Sequence, residues 1–319
     1  MNSTLSAAPH PDDGAAHAQP TLPLHVGGTA VRASRESGPV GFLRRMVRTS
    51  PLGVAAGVLM LVIFVVGGFA ELFAPYDPLA VNFAYTRREP SALYLLGTDY
   101  LGRDVLSRLI HGARVSLMVA VTSVLIGDSL GFLWGVASGY LGGKFDVLSQ
   151  RVLDIMLSFP GLILAILLMA GLGPRLETVI IAIAVSRVPL STRVIRAVVL
   201  SVKEMSYVES ARCIGASSLG VMVRHIAPQC IAPFLVIFSA NLGTAIFAES
   251  ALAFLGIGVP DPTPTWGRML GGVLSEAFRP PWWLIVFPGV AITLTIMTAN
   301  LFGDALRDVL DPRLKHRMN

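Results

Sequence analysis

The chain has 319 residues, 53% of them apolar and only 14% charged, with a net charge of +5. A soluble domain carries about 25% charged residues, so this composition excludes an ordinary soluble protein, and the charge-poor residues gather in blocks of membrane-spanning length. The basic excess suits anionic lipid and topology better than nucleic acid.

Residues 1–40 are rich in Ala, Pro, Gly, Ser and His and have no apolar period, which reads as a disordered cytoplasmic tail. No cleavable signal peptide is visible ahead of the first long apolar run near Pro51. A crossing needs about 20 mostly apolar residues. Residues 49–70, 115–143, 155–174 and 280–303 each fit, and 231–258 fits with Glu249 inside it. Residues 178–192 are short and interrupted by Arg187, but the others require a crossing there. An all-α integral membrane protein of six helices follows, with residues 144–154 as a short turn.

With the N-terminus inside, 16 Lys and Arg fall on the cytoplasmic side, seven fall outside and two lie at span ends. The bias places both termini in the cytoplasm.

Residues 75–112 are too polar to span. In LGTDYLGRDVLSR, Gly97 and Gly102 mark turns, Asp99 and Asp104 are candidate caps, and Arg103 and Arg108 are their partners. The stretch is expected to be a surface turn entering an interfacial helix. The next crossing carries Gly127, Gly131, Gly135, Gly139 and Gly143 at every fourth position, a stripe for close helix packing. Residues 248–270 begin inside the fifth crossing, and Pro260, Pro262 and Pro264 then force an extended or re-entrant excursion on the outer side. Trp266, Trp282 and Trp283 suit the outer interface.

Between the fourth and fifth crossings, residues 206–228 form a polar, basic island. Ser206 and Glu209 have capping-box spacing. Tyr207, Val208, Ala211 and Ile214 recur at helical spacing, Gly215 supplies a stop that tolerates positive φ, and Ser217 or Ser218 caps a second helix that Pro228 closes. The island is therefore a helix–Gly–helix element: a plain loop, or a docking element for a soluble partner. Cys213 and Cys230 fall in or beside it without C-x-x-C spacing, which indicates neither a disulfide framework nor a zinc site.

Glu209, Ala211, Gly215 and Pro228 resemble, at the right spacing, the EAA loop of importer-type ABC permeases. His225 and Ile226 resemble the peptide-permease form of its ending; Ser210 and Ala227 depart from the pattern. Residues 97–108 resemble the G-T-D-x-x-G-R-D-x-x-S-R block of the C-type subunit of dipeptide and oligopeptide permeases. The segment from Ala74 to Pro78 and residues 248–270 resemble the same subunits. The resemblance implies a type I ABC importer permease fold. It divides the chain into the tail 1–40, an N-terminal region 41–112, a transmembrane domain 113–305 and a cytoplasmic tail 306–319.

The resemblance implies partners: a homologous B-type permease, two ATP-binding subunits that engage the island, and an extracytoplasmic peptide-binding protein. No G-x-x-x-x-G-K-[ST] occurs in the chain, so it cannot cradle ATP in the P-loop manner. The expectation is a bacterial inner-membrane transport subunit that binds no cofactor itself, its ATP being used by partners. Peptide cargo is expected, with nickel, glutathione or antimicrobial peptides as alternatives in the same family. An ion-coupled secondary transporter using Asp128 and Glu249 is the rival from another class.

A charge at a membrane centre costs roughly 2.5–3.5 kcal/mol, so both carboxylates should face protein or water. Each is either a hydrogen-bonded strut between helices or a gate or pore residue.

Overall fold

A computed structural model describes residues 46–276, residue 48 excepted, and 280–310. The expected tail 1–40 lies outside them, as does everything past Leu310.

The helices in order are α1 (Pro51–Gly68), a single turn α2 (Ala70–Phe73), α3 (Val105–Leu141), α4 (Gly143–Leu157), α5 (Gly161–Leu172), α6 (Leu176–Val202), α7 (Ser206–Cys213), α8 (Ser218–Val221), α9 (Ala227–Phe254), α10 (Trp266–Glu276) and α11 (Trp282–Leu310). Among the described residues, five helices are long and apolar enough to cross a membrane. A sixth crossing exists if α4 and α5, bent by 87° at their junction, count as one.

The centre of the fold is the contact of α3 with α6. Between membrane helices no hydrophobic drive exists, because lipid tails are as apolar as leucine, so close approach has to supply the attraction. The glycine stripe does this. A Cβ on Gly131 would stand 2.7 Å from Cβ of Ser191, one on Gly135 2.7 Å from the Thr192 carbonyl, and one on Gly139 2.8 Å from Val199. Gly127 faces the Ala184 carbonyl in the same way. Gly143, the fifth in the series, lies beyond the end of α3, and a Cβ there would meet nothing within 4 Å. Against this pair α9 packs, α11 packs on α9, and α1 leans on α11 and α3.

The structure departs from the sequence reading in several places. Helix α3 begins at Val105 rather than 115, so the expected interfacial helix is its first turns rather than a separate element. Asp104 caps it, accepting from the amide (2.8 Å) and hydroxyl (2.7 Å) of Ser107. Its 37 residues span about 55 Å, well beyond a hydrocarbon layer of about 30 Å. Residues 144–154 are helical, because their charges have tertiary partners: Asp146 accepts from Arg196 (2.6 Å) and Asp154 from Arg193. Pro160 then breaks the rod, since the residue before a proline avoids helical backbone, and the third crossing is left as the twelve residues of α5.

Helix α6 runs unbroken through Arg187 and Pro189. Arg187 therefore lies well inside the helix rather than at a span end. Helix α11 continues to Leu310, five residues into the expected tail.

Trp266 and Trp283 are buried, their ring N–H groups donating to the carbonyls of Leu109 (2.9 Å) and Thr98 (3.3 Å); Trp282 is exposed. An indole with a carbonyl to meet gains more in the protein than at an interface. At the end of α1, Arg114 of α3 donates to the Gly67 and Gly68 carbonyls (3.2 and 2.6 Å) and to both oxygens of Glu71 (2.6 and 2.7 Å). It thereby covers carbonyls the helix leaves open and holds the Glu71 carboxyl at about 2.

Candidate functional site

At one end of the bundle, α7 and α8 form a short hairpin. Val208 and Ala211 of α7 and Val221 of α8 are buried among Ile195, Val199 and Ile226, which fastens the hairpin to the ends of α6 and α9. Arg212 lies over the Tyr140 ring at 5.1 Å, adding a tie to the end of α3.

The expected capping box does not form. Met205 is the N-cap and no side chain caps α7, because Ser206 already has helical backbone and its hydroxyl cannot reach back. Glu209 is exposed. Gly215, at φ +83°, ends the helix in a full Schellman motif: Ala216 N–H donates to Ala211 (3.1 Å) and Gly215 N–H to Arg212 (3.0 Å). Ser217 caps α8, accepting from the Gly220 amide at 3.2 Å.

Pro228 does not close the second helix. One π turn, Met222–Ile226, leads straight from α8 into α9, and residues Ser218–Phe254 form one continuous helix. Proline offers no N–H and its ring crowds the carbonyl four residues back; the wider π turn takes up that mismatch. His225 lies in this turn, its Nδ1 buried without a partner.

Around Gly215 there is open space: a Cβ there meets nothing within 4 Å. Only the left-handed backbone resists substitution, at about 1–2 kcal/mol. Gly215→Ala and Gly215→Leu should therefore destabilise the purified protein equally, by about 1–2 kcal/mol in thermal unfolding. A much larger loss for Leu would show the site to be closed.

The hairpin has a second apolar face that covers nothing. Ile214 is 85% exposed and Leu219 67%, with Val223, Met205 and Tyr207 also exposed. A short element held rigidly on one side and apolar on the other has the form of a docking surface.

Within the bundle, Asp128 of α3 is fully buried. Ser191 of α6 donates to it at 2.5 Å, and the Asn241 amide of α9 donates to its two oxygens at 2.9 and 3.0 Å. Three helices are joined at one carboxylate. Neither Ser191 nor Asn241 stands out in the sequence; only the fold brings them to Asp128. Glu249 of α9 is also fully buried, flanked by the hydroxyls of Ser116, Ser250 and Thr265, with Oε1 lacking a hydrogen bond.

At the opposite end, the Gly97–Asp104 block is a buried tie rather than a surface turn. Asp99 accepts from the amides of Leu101 (2.8 Å) and Arg103 (2.9 Å) and from Arg103 Nε (2.6 Å), with Arg108 Nε 3.6 Å away. It thus caps a turn, and Asp104 caps the helix. A Cβ on Gly97 would stand 2.7 Å from the Arg88 carbonyl, and Gly102 faces Asn82 more closely still. Arg108 donates to the Pro78 carbonyl at 3.1 Å, and Ser107 accepts from the Tyr76 amide at 3.0 Å. The block closes one side of a cavity of about 270 Å³, with Asp261 and Arg268 on the other. Arg268 donates to both oxygens of Asp261 and holds that carboxyl below the usual range.

A helical bundle with apolar crossings, polar groups spent on joining helices and an outward-facing hairpin defines a membrane-embedded helical subunit. The family model for "binding-protein-dependent transport system inner membrane component" matches residues 131–316, and the chain belongs to that family. It is similar to the glutathione transport system permease protein GsiD of Pectobacterium atrosepticum, 39% identical over 86% of this chain and 91% of the relative. It is also similar to the di/tripeptide transport system permease protein DppC of Pseudomonas aeruginosa, 42% identical over 83% and 89%. A putative peptide transport system permease protein of Brucella suis is 39% identical over 85% and 91%. A solved crystal structure of an amino acid ABC transporter with histidines is similar over 61% of this chain and 91% of its own, at a TM-score of 0.47 and 17% identity. The protein is thus a multi-pass inner-membrane permease of an ABC transporter. Membership implies work alongside another permease, ATP-binding subunits and a binding protein.

Proposed function

We propose that this chain is half of the pore of an ABC importer for di- and oligopeptides. The second half is a homologous B-type permease, two separate subunits hydrolyse ATP, and an extracytoplasmic peptide-binding protein delivers the cargo. The chain itself holds no cofactor. The observation that carries the reading is the hairpin α7–α8, anchored by Val208 and Ala211 and presenting Ile214 and Leu219 outward. The Lys and Arg bias puts this hairpin and both termini in the cytoplasm, where an ATPase reaches it. Ala211 anchors the hairpin, Gly215 reverses it, the exposed Glu209 is free to meet the ATPase, and His225 and Pro228 join it to α9.

Peptide cargo is supported by the relatives, whose names specify glutathione, di/tripeptides and peptides. Glu249 is assigned to gating at the outer end, and Asp128, buried between three helices, to holding the pore-forming helices together. The block formed by Gly97, Asp99, Gly102, Arg103 and Asp104 shapes the outer mouth where the binding protein delivers.

The test is reconstitution of the chain with its operon neighbours in liposomes. ATP hydrolysis should rise with loaded binding protein, and labelled di- and tripeptides should accumulate only with ATP. Accumulation driven by an imposed ion gradient without ATP would identify a secondary transporter. Uptake of nickel with no peptide uptake would reassign the cargo.

A further inference from the structure

Arg187 has no hydrogen bond and no ion pair among the described residues, and its Nε is buried without an acceptor. It stands eleven residues into α6, which begins at Leu176, or about 16 Å along the axis, near the middle of a hydrocarbon layer of about 30 Å. A charged group there does not face lipid. A guanidinium carries five N–H donors in a planar fork matched to carboxylates.

Asp128 makes no ion pair with Arg187 among the described residues, and it already accepts three hydrogen bonds from Ser191 and Asn241. Arg187 is partly exposed, on a strip of α6 where Leu190 (50% exposed) and Val194 (37%) are also uncovered by this chain. A charge at mid-depth on an uncovered strip marks that strip as facing water or protein.

We propose that Arg187 is a carboxylate-binding residue of the translocation path, receiving the C-terminal carboxylate of a passing peptide. This rests on the peptide-cargo reading above. A terminal carboxylate is common to peptides of any sequence, so one fixed guanidinium recognises the class without recognising side chains.

The same chemistry could come from a carboxylate of the second permease subunit, and the experiment separates the two. In the reconstituted complex with its binding protein, uptake of one peptide is compared as free acid and as C-terminal amide for the unaltered chain, Arg187→Gln and Arg187→Lys. The acid-to-amide uptake ratio should fall about tenfold in Arg187→Gln, the scale of a lost charge-assisted hydrogen bond. In Arg187→Lys it should fall less, because the charge remains and the fork is lost. If Arg187→Gln does not assemble, the ratio is read from Arg187→Lys alone. An unchanged ratio in the variants that assemble overturns the proposal. Loss of the second permease from the Arg187→Gln complex, with Arg187→Lys retaining it, assigns the carboxylate to that subunit and overturns it too. If the unaltered complex moves neither peptide, the cargo reading fails and this inference fails with it.

Discussion

Gly131→Leu should remove most of the folded protein from the membrane, and even Gly131→Ala should destabilise it. In an isolated helix, Ala is better than Gly by about 1 kcal/mol, so a bare propensity argument predicts the opposite sign for Ala. Here the added Cβ stands 2.7 Å from Ser191 and 3.0 Å from the Val188 carbonyl. One neighbour is backbone and cannot rotate away, so α3 and α6 must separate. Overpacking of this kind costs about 1–3 kcal/mol, and separating the helices also pulls Ser191 from Asp128. Gly171→Ala is the control, since a Cβ there meets nothing within 4 Å, and it should be neutral or stabilising. Thermal unfolding of the detergent-purified chain reads all three. A Gly131→Ala variant as stable as Gly171→Ala would mean that the stripe does not hold the bundle together.

The other large effect is expected at the hairpin. Ile214→Asp combined with Leu219→Asp should leave the permease folded while releasing the ATPase subunits. The two side chains are 85% and 67% exposed, and exposed substitutions usually change stability by less than about 0.5 kcal/mol. Apolar anchors in a docking surface, by contrast, are worth about 2 kcal/mol or more each. That corresponds to roughly 30-fold in affinity for a single anchor. Co-purification should lose the ATPase and retain the second permease, with peptide uptake abolished. Stimulated ATP hydrolysis at the unaltered level would rule this face out as the contact.

Much of this was legible in the chain. Long apolar runs report lipid exposure directly, so the crossings stand out, and Gly215 with Ser217 marks the hairpin through backbone chemistry that is local. What escaped depends on partners distant in sequence. Residues 144–154 look like a turn because Asp146 and Asp154 count as polar until Arg196 and Arg193 are brought to them. The start of α3 is hidden for the same reason, its Arg108 being spent on Asp99 and the Pro78 carbonyl. The capping-box spacing of Ser206 and Glu209 needs an extended backbone at Ser206, and the fold places that one residue earlier, at Met205. The depth of Arg187 is invisible to a hydropathy scan that ends a crossing wherever it meets a charge.

The unbroken helix from Ser218 to Phe254 has a mechanical meaning. Its 37 residues make a beam about 55 Å long, with one π turn, Met222–Ile226, between the exposed hairpin and the buried Glu249. A beam of that length swung by 5° moves its far tip by about 5 Å. On the reading proposed above, a small closing movement at the hairpin is carried by this one helix to the level of Glu249.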